Sequence, residues 1–118
     1  MTGIAYKLVE EDEWAAARAA GVYGGSAVDR ADGYIHMSSA AQLAETARRH
    51  YAGRDGLLLV EVDMGALGEA LRWEPSRGGN LFPHLYGPLP MAAALSERAL
   101  SVAQDGTPMF EDGAAGWP

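Results

Sequence analysis

The order of apolar and polar residues predicts a strand and then a helix at the start of the chain. Apolar side chains recur with the alternation of a strand over residues 4–9. The acidic residues 10–13 then favour a first helical turn, because they complement the positive end of the helix dipole. We expect this helix to end at Gly21 and to turn Trp14 and Ala17 towards the core.

A second strand is predicted after a loop over residues 22–31, which contains two adjacent glycines. In residues 33–38 the period of two places Ile35 and Met37 on one face and polar side chains on the other. The apolar face belongs to the core. The other face then carries Tyr34, His36 and Ser38 together.

A second helix and a central strand follow. Ser39 and Gln42 have the spacing of a capping box, and apolar residues continue at helical spacing to about residue 51. Residues 57–63 are apolar on nearly both faces, which is typical of a central strand. We expect the main core to contain the apolar positions that repeat at the period of their own elements: Trp14, Leu43, Ala47, Leu58, Val60, Val62 and Trp73.

The remaining pattern predicts a short strand at 71–74, a helical turn at 91–94 and a last strand at 95–102. Residues 105–118 are expected to form a hairpin-like end and a loose tail. The chain shows no internal repeat and no boundary, so we expect a single domain over residues 1–104 followed by this C-terminal end.

Residues 73–90, WEPSRGGNLFPHLYGPLP, contain the greatest concentration of chemically useful side chains. Irregular segments longer than about 12–15 residues are uncommon unless they bind or gate something. We therefore interpret this segment as a binding loop and residues 32–39, DGYIHMSS, as its counterpart. The candidate site residues from this segment are Glu74, Ser76, Arg77, Phe82, His84 and Tyr86.

Composition narrows the classes of function. The chain has 118 residues, 48% of them hydrophobic, and no cysteine, which excludes disulfides and thiolate metal sites. Its net charge of −7 argues against binding to a nucleic-acid duplex. No apolar run reaches the length of a membrane span and no signal peptide is visible, so we expect a cytoplasmic protein.

Each candidate has a plainer interpretation as well. His36 and His84 fit a polar pocket. The plainer alternatives are a strand histidine that is hydrogen-bonded by a neighbour, for His36, and a loop histidine in water, for His84. His50 fits the C-terminal end of a helix, where a cation is favoured by the dipole. Glu74 and Arg77 fit an ion pair, and Phe82 and Tyr86 fit a cap over the core. A zinc hydrolase built on the three histidines remains an alternative, but no HxH or HxxxH spacing occurs, and we expect no metal.

The motifs of the chain resemble a known bacterial family. DGYIHMS at 32–38, TARRHY at 46–51, WEPSR at 73–77 and LFPHLYG at 81–87 are similar to the patterns of the family called domain of unknown function 952. The resemblance spans about residues 4–102. That family is grouped by fold with the ADP-ribosyltransferase-like proteins, and IHMS is similar to a strand of the RNA 2′-phosphotransferases.

This resemblance implies an α+β fold with a split, twisted, mainly antiparallel sheet, two or three helices and a cleft that holds NAD or a related ADP-ribose-type nucleotide. Breakage of the nicotinamide–ribose bond needs donors on the ribose, an aromatic platform, a cation on the diphosphate and a carboxylate. His36 and Ser38 are the implied donors, with His84 beside them in the catalytic set. Tyr34 or Tyr86 is the platform, Arg77 the diphosphate clamp, and Glu74, Glu61 or Glu97 the carboxylate.

The motifs also depart from the characterised enzymes of that fold. The chain lacks the His-Tyr-Glu order of the toxin-like transferases and the Arg-His-Arg-Arg set of the phosphotransferases. Catalysis by ADP-ribosyl or phosphoryl transfer is therefore one hypothesis. A noncatalytic module that binds a small molecule or a protein segment in the same cleft is the other.

Overall fold

The computed structural model describes residues 3–118, together with their side chains except that of Arg77. The protein is an α+β structure in which the paired strands are antiparallel, and this coarse part of the predicted fold is confirmed. The strands are β1 (Ile4–Glu10), β2 (Val22–Tyr23), β3 (Ile35–His36), β4 (Leu57–Asp63), β5 (Leu71–Pro75), β6 (Leu81–Leu85), β7 (Leu89–Pro90), β8 (Ala94–Val102) and β9 (Pro108–Phe110). The helices are α1 (Glu11–Ala20), α2 (Ala27–Asp32) and α3 (Leu43–His50). Short 3-10 turns lie at Ala40–Gln42, Met64–Ala66, Gly68–Ala70, Arg77–Gly79 and Met91–Ala93.

The first sheet has the strand order β1-β4-β8-β9, and β4 is a central strand as predicted. β4 is apolar on both faces, and this explains its central position because a core cluster covers each face. Leu57 and Leu59 face one core cluster, and Val60 and Val62 face the other. The prediction of one main core was wrong in this respect, since the sheet separates Trp14 and Val60 from Leu43 and Ala47. Leu58 and Trp73 are only partly buried.

The second sheet has the order β3-β6-β5, and a two-stranded sheet pairs β2 with β7. The two larger sheets meet at one isolated bridge, in which the backbones of Tyr6 and Ser38 exchange hydrogen bonds of 2.8 and 2.9 Å. In the described residues β1 and the segment after β3 form no further backbone pair, and both border one cavity. We call the space between them the cleft.

The predicted helix boundaries largely hold. α1 carries Glu11, Asp12 and Glu13 in its first turn and ends at Gly21, whose φ of 88° suits glycine. Ser39 and Gln42 form the predicted capping box, although the turn that they cap is a 3-10 helix leading into α3. The predicted strand at 95–102 and the helical turn at 91–94 are present as β8 and a 3-10 turn.

Two predictions of irregular structure were wrong. The predicted loop at 22–31 contains β2 and α2, and α2 starts with a capping box between Ser26 and Asp29. The predicted binding loop at 73–90 is largely the β5–β6 hairpin, with only residues 76–80 forming its turn. Pro75 and Pro83 lie within these strands. Because proline usually interrupts a strand, the sequence pattern did not predict this pairing. Pro83 still accepts a hydrogen bond from the Met37 N–H through its carbonyl, at 3.0 Å.

The C-terminal residues extend the first sheet. β9 pairs with β8 through the register of Leu100 with Phe110, and the Trp117 ring packs edge-on against Phe110 at 5.9 Å. Within residues 3–118, no helix is both long enough and apolar enough to cross a membrane.

Candidate functional site

One face of the β3-β6-β5 sheet collects most of the predicted site residues. His36 lies opposite His84, and His84 lies opposite Arg72, so these three side chains share a face. Ile35 and Leu85 point the other way and are buried in the core, as predicted for Ile35. We call the outer side the polar face. It carries Tyr34, His36, Ser38, Arg72, Glu74, Phe82, His84 and Tyr86.

A cavity of about 690 Å³ lies over part of this face. Ser76, at the start of the β5–β6 turn, lines it with four residues of the polar face, and β1 and the helices α2 and α3 supply the opposite walls. From the polar face the lining residues are His36, Ser38, Phe82 and His84. Tyr34, Glu74 and Tyr86 lie outside the lining, behind or beside His84. The cavity therefore occupies the cleft between the two larger sheets.

His36 is held between two carboxylates of α2. Its Nδ1 lies 2.6 Å from Asp29 Oδ1, and its Nε2 lies 2.9 Å from Asp32 Oδ2. Because a carboxylate oxygen only accepts, both ring nitrogens donate in this arrangement. Both ring nitrogens of His36 are thus held by carboxylates at the cleft wall.

Asp29 is the polar centre of this wall, although its side chain is only 2% exposed. It accepts hydrogen bonds from the backbone N–H groups of Ser26 and His36 and from Lys7 Nζ. Burial alone would raise the pKa of Asp29, but the bonds from His36, the charge of Lys7 and the backbone donors outweigh it and hold that pKa far below the ordinary range. Burial lowers the pKa of Lys7, against the attraction of Asp29.

His84 is oriented by Glu74 in a similar way. Its Nδ1 lies 2.8 Å from Glu74 Oε1, and the Tyr86 hydroxyl donates to the same oxygen at 2.7 Å. The bonds from Tyr86 and His84 hold the pKa of Glu74 below its ordinary value. Its carboxylate in turn raises the pKa of Tyr86. Glu74 therefore binds His84 and Tyr86 through one carboxylate oxygen, and it lies outside the cavity lining.

Tyr34 packs the two histidines together. Its ring is stacked on His84 with centroids 4.1 Å apart, and it lies 4.7 Å from His36 and 5.2 Å from Tyr86. The two imidazole rings are themselves 5.6 Å apart. Tyr34 and Tyr86 are thus part of the support around His84, and neither lines the cavity.

The other predicted residues have varied positions. Ser38 is buried, and its hydroxyl lies 3.1 Å from the Thr46 hydroxyl at the cavity wall. Phe82 and Ser76 line the cavity, and Arg77 follows Ser76 in the hairpin turn. The predicted role of the Arg77 side chain lies outside the described residues.

The alternative carboxylates are placed elsewhere. Glu97 accepts hydrogen bonds from Trp14 and Arg18, and neither Glu97 nor Glu61 lines the cavity. The carboxylates that do line it are Glu10, Glu13, Asp29 and Asp32. Burial, and then the neighbouring Glu10, raise the pKa of Glu13.

The sequence analysis did not identify Lys7 and Asp29 as site residues, although the sequence contains a signal for each. Lys7 is a charged residue inside an otherwise apolar strand, and such a residue needs a partner when it is buried. Asp29 stands three residues after Ser26, which is the spacing of a capping box. The cluster of Lys7, Asp29 and His36 follows from these two signals only when α2 is recognised.

His50 lines the same cavity as His36 and His84. Among the residues that the structure describes, no three histidine, aspartate or glutamate side chains are grouped so that they could hold a metal ion.

Comparison with known proteins identifies relatives of the chain. A family model described as "Protein of unknown function (DUF952)" matches residues 8–97. The crystal structure of protein CC0527 from Caulobacter crescentus is similar, with a TM-score of 0.85, 46% identity, and 91% of this chain and 94% of that chain covered. The solution NMR structure of CC0527 gives a TM-score of 0.78 and 47% identity, with 89% and 90% covered. The search of curated proteins gave no match.

The matched residues include both halves of the polar face, from the DGYIHMS strand to the LFPHLYG strand. The resemblance inferred from the motifs is therefore confirmed, and the chain belongs to the DUF952 family of proteins of unknown function.

Proposed function

We propose that this protein binds NAD or another ADP-ribose-type nucleotide in the cleft and transfers its ADP-ribosyl group. The observation that carries the proposal is the position of His36, Ser38, Phe82 and His84 on one wall of a single cavity of about 690 Å³. Small-molecule sites are clefts of about 300–1,000 Å³ with a few convergent polar groups. The volume and the lining both fit this class.

The lining matches the parts of such a nucleotide. On the polar wall of the cleft, the Ser38 hydroxyl is the group offered to ribose hydroxyls, since both ring nitrogens of His36 already face Asp29 and Asp32. Aromatic side chains at Tyr6, Tyr51 and Phe82 offer apolar surface to a base or nicotinamide ring. Arg77 is proposed to bind the diphosphate, because it directly follows Ser76, a lining residue, and its guanidinium suits paired phosphate oxygens.

The arrangement of the sheets supports an ADP-ribosyltransferase-like fold. The two larger sheets are antiparallel, and in residues 3–118 their backbones pair at the bridge of Tyr6 with Ser38, so the sheet is split at the cleft. The resemblance of the DGYIHMS strand to the RNA 2′-phosphotransferases favours the same fold. The position of the cavity at this split agrees with a nucleotide bound between the halves.

The test is a thermal-shift screen with NAD, NADP, ADP-ribose and cyclic nucleotide phosphates. A ligand at 100 times its dissociation constant adds about 2.7 kcal/mol to the free energy of unfolding. Ser76→Trp should abolish the shift, because a large side chain at this lining position fills the cleft. Ala92→Trp is the matched control, since Ala92 is exposed and lies outside the lining.

Chromatography of the nucleotide after incubation separates transfer from binding. Release of nicotinamide with formation of ADP-ribose or an ADP-ribosylated acceptor supports transfer. A saturable shift without products supports the noncatalytic module. If millimolar NAD and ADP-ribose both leave the melting temperature unchanged, the nucleotide proposal is wrong.

A further inference from the structure

We propose that His84 is the general base of the cleft and that Glu74 is its positioning residue. The ligand on which His84 acts rests on the proposed function above. The identity of the base rests on the geometry of the polar face alone, and the two can therefore be tested separately.

The surroundings of His84 fix both its tautomer and its orientation. Glu74 is an acceptor at Nδ1, so Nδ1 carries the proton and Nε2 is the nitrogen that can take another. The stacked Tyr34 ring, inclined by 20°, holds the imidazole plane. A histidine that a carboxylate orients at one nitrogen and that reaches a cavity is the arrangement used for general-base catalysis.

His36 is excluded from this role by its own contacts. Both of its ring nitrogens face carboxylates, at 2.6 Å from Asp29 and 2.9 Å from Asp32. A proton acceptor needs a nitrogen lone pair directed at the ligand, and this arrangement leaves none. The two neighbouring histidines therefore differ in function: the ring of His36 is held by two carboxylates, and His84 accepts the proton.

The proposed step uses water as the nucleophile. The O–H bond of a water molecule breaks, and its proton forms a bond with the Nε2 lone pair of His84. The oxygen forms a bond to the ribose carbon, and the bond from that carbon to the nicotinamide nitrogen breaks. Nicotinamide leaves with the electron pair, which neutralises its ring charge. The His84 imidazolium is stabilised by the Glu74 carboxylate and then loses the proton to solvent.

The tautomer is measured by NMR on ¹⁵N-histidine protein, without any ligand. We expect the neutral form of His84 to carry its proton on Nδ1. Glu74→Gln should move the proton towards Nε2, because a glutamine can donate to Nδ1. Glu69→Gln removes the same charge at an exposed position and should leave the tautomer unchanged. An Nε2–H tautomer in the unmodified protein would overturn the proposal.

Acylation by diethyl pyrocarbonate, mapped by mass spectrometry, reports whether Nε2 is a reachable nucleophile. The His84 side chain is only 3% exposed but lines the cavity, so the reagent has to reach Nε2 through the cleft. We expect His84 to react and Glu74→Gln to lose most of this reaction, while His36 reacts slowly in both proteins. Absence of acylation at His84 contradicts the base assignment even if NAD binds.

Turnover of NAD gives the third measurement. Glu74→Gln should lower kcat by about 100-fold or more with little change in KM, since a general base contributes about 10²–10⁴ to a rate. A rise in KM of about 100-fold with kcat unchanged would assign Glu74 and His84 to binding and overturn the proposal. Failure of NAD to bind would refute the proposed function and leave the tautomer and acylation results to decide the role of His84.

Discussion

Lys7 and Asp29 form an ion pair that joins β1 to α2, with Nζ 3.0 Å from Oδ2 and side chains that are only 6% and 2% exposed. Two charges at this depth lose most of their hydration, and that cost is offset only when every polar atom is bonded. Asp29 meets this condition through Ser26 and His36. The pair therefore holds three elements around the cleft: the first sheet, α2 and the strand with His36.

Replacement of Asp29 by alanine should destabilise the protein strongly. The change leaves the Lys7 ammonium buried without its partner and removes the acceptor of the Ser26 N–H in the capping box of α2. Loss of one partner of a buried pair costs about 3–5 kcal/mol. Urea unfolding measures the loss. Asp32→Ala is the matched control on the same helix, and its exposed carboxylate should be worth about 1 kcal/mol or less. Equal losses for the two variants would show that Asp29 is not the centre of this wall.

Stability should fall in acid because of Asp29. Its pKa in the folded protein lies well below the ordinary value of 3.8, so the unfolded chain takes up the proton first. The contribution of Asp29 is therefore complete above about pH 4 and is lost as the pH falls through the lower, folded pKa. The free energy of unfolding between pH 6 and pH 2 measures the effect. Asp29→Asn should show a shallower decrease, and parallel curves for the two proteins would contradict the assignment.

Replacement of Leu59 by alanine should cost more than replacement of Leu58. Leu59 is 1% exposed in the cluster behind β4, and loss of a fully buried leucine side chain costs about 2–5 kcal/mol. Leu58 is only partly buried against the other cluster. Urea unfolding of both variants checks the order. A larger loss for Leu58→Ala would show that the face of β4 with Val60 carries more of the core.

The sequence pattern was sufficient for the polar face and insufficient for the cleft. Alternation over residues 33–38 predicted that Ile35 and Met37 are buried and that Tyr34 and His36 share a side. This prediction succeeds because the alternation of side chains in a strand depends only on residues next to one another in the sequence. The contact of His36 with His84 needs the register of β3 on β6, which joins residues far apart in the sequence.

The cavity itself depends on an even less local feature. It is lined by β1, α2, α3 and the polar face, which lie far apart in the sequence, and no motif encodes their meeting. Asp29 was missed because Gly24 and Gly25 make residues 22–31 resemble a loop. The hairpin at 73–90 was missed because Pro75 and Pro83 usually interrupt strands.

The last prediction concerns Arg77 and the diphosphate. Arg77→Ala should raise the dissociation constant for ADP-ribose by about 10–100-fold, since hydrogen bonds to a charged group are worth about 1.5–3 kcal/mol. Arg77→Lys should be nearly as weak a binder, because lysine keeps the charge and loses the planar fork that binds two oxygens.

Arg48→Ala is the matched control: it removes the same charge at a side chain that is 55% exposed and outside the cleft. Calorimetric titration measures all four proteins. Full affinity in Arg77→Lys would show that charge alone is recognised. Full affinity in Arg77→Ala would exclude Arg77 from the site and leave Arg49 and Arg54, which line the cavity, as the exposed cations for the diphosphate.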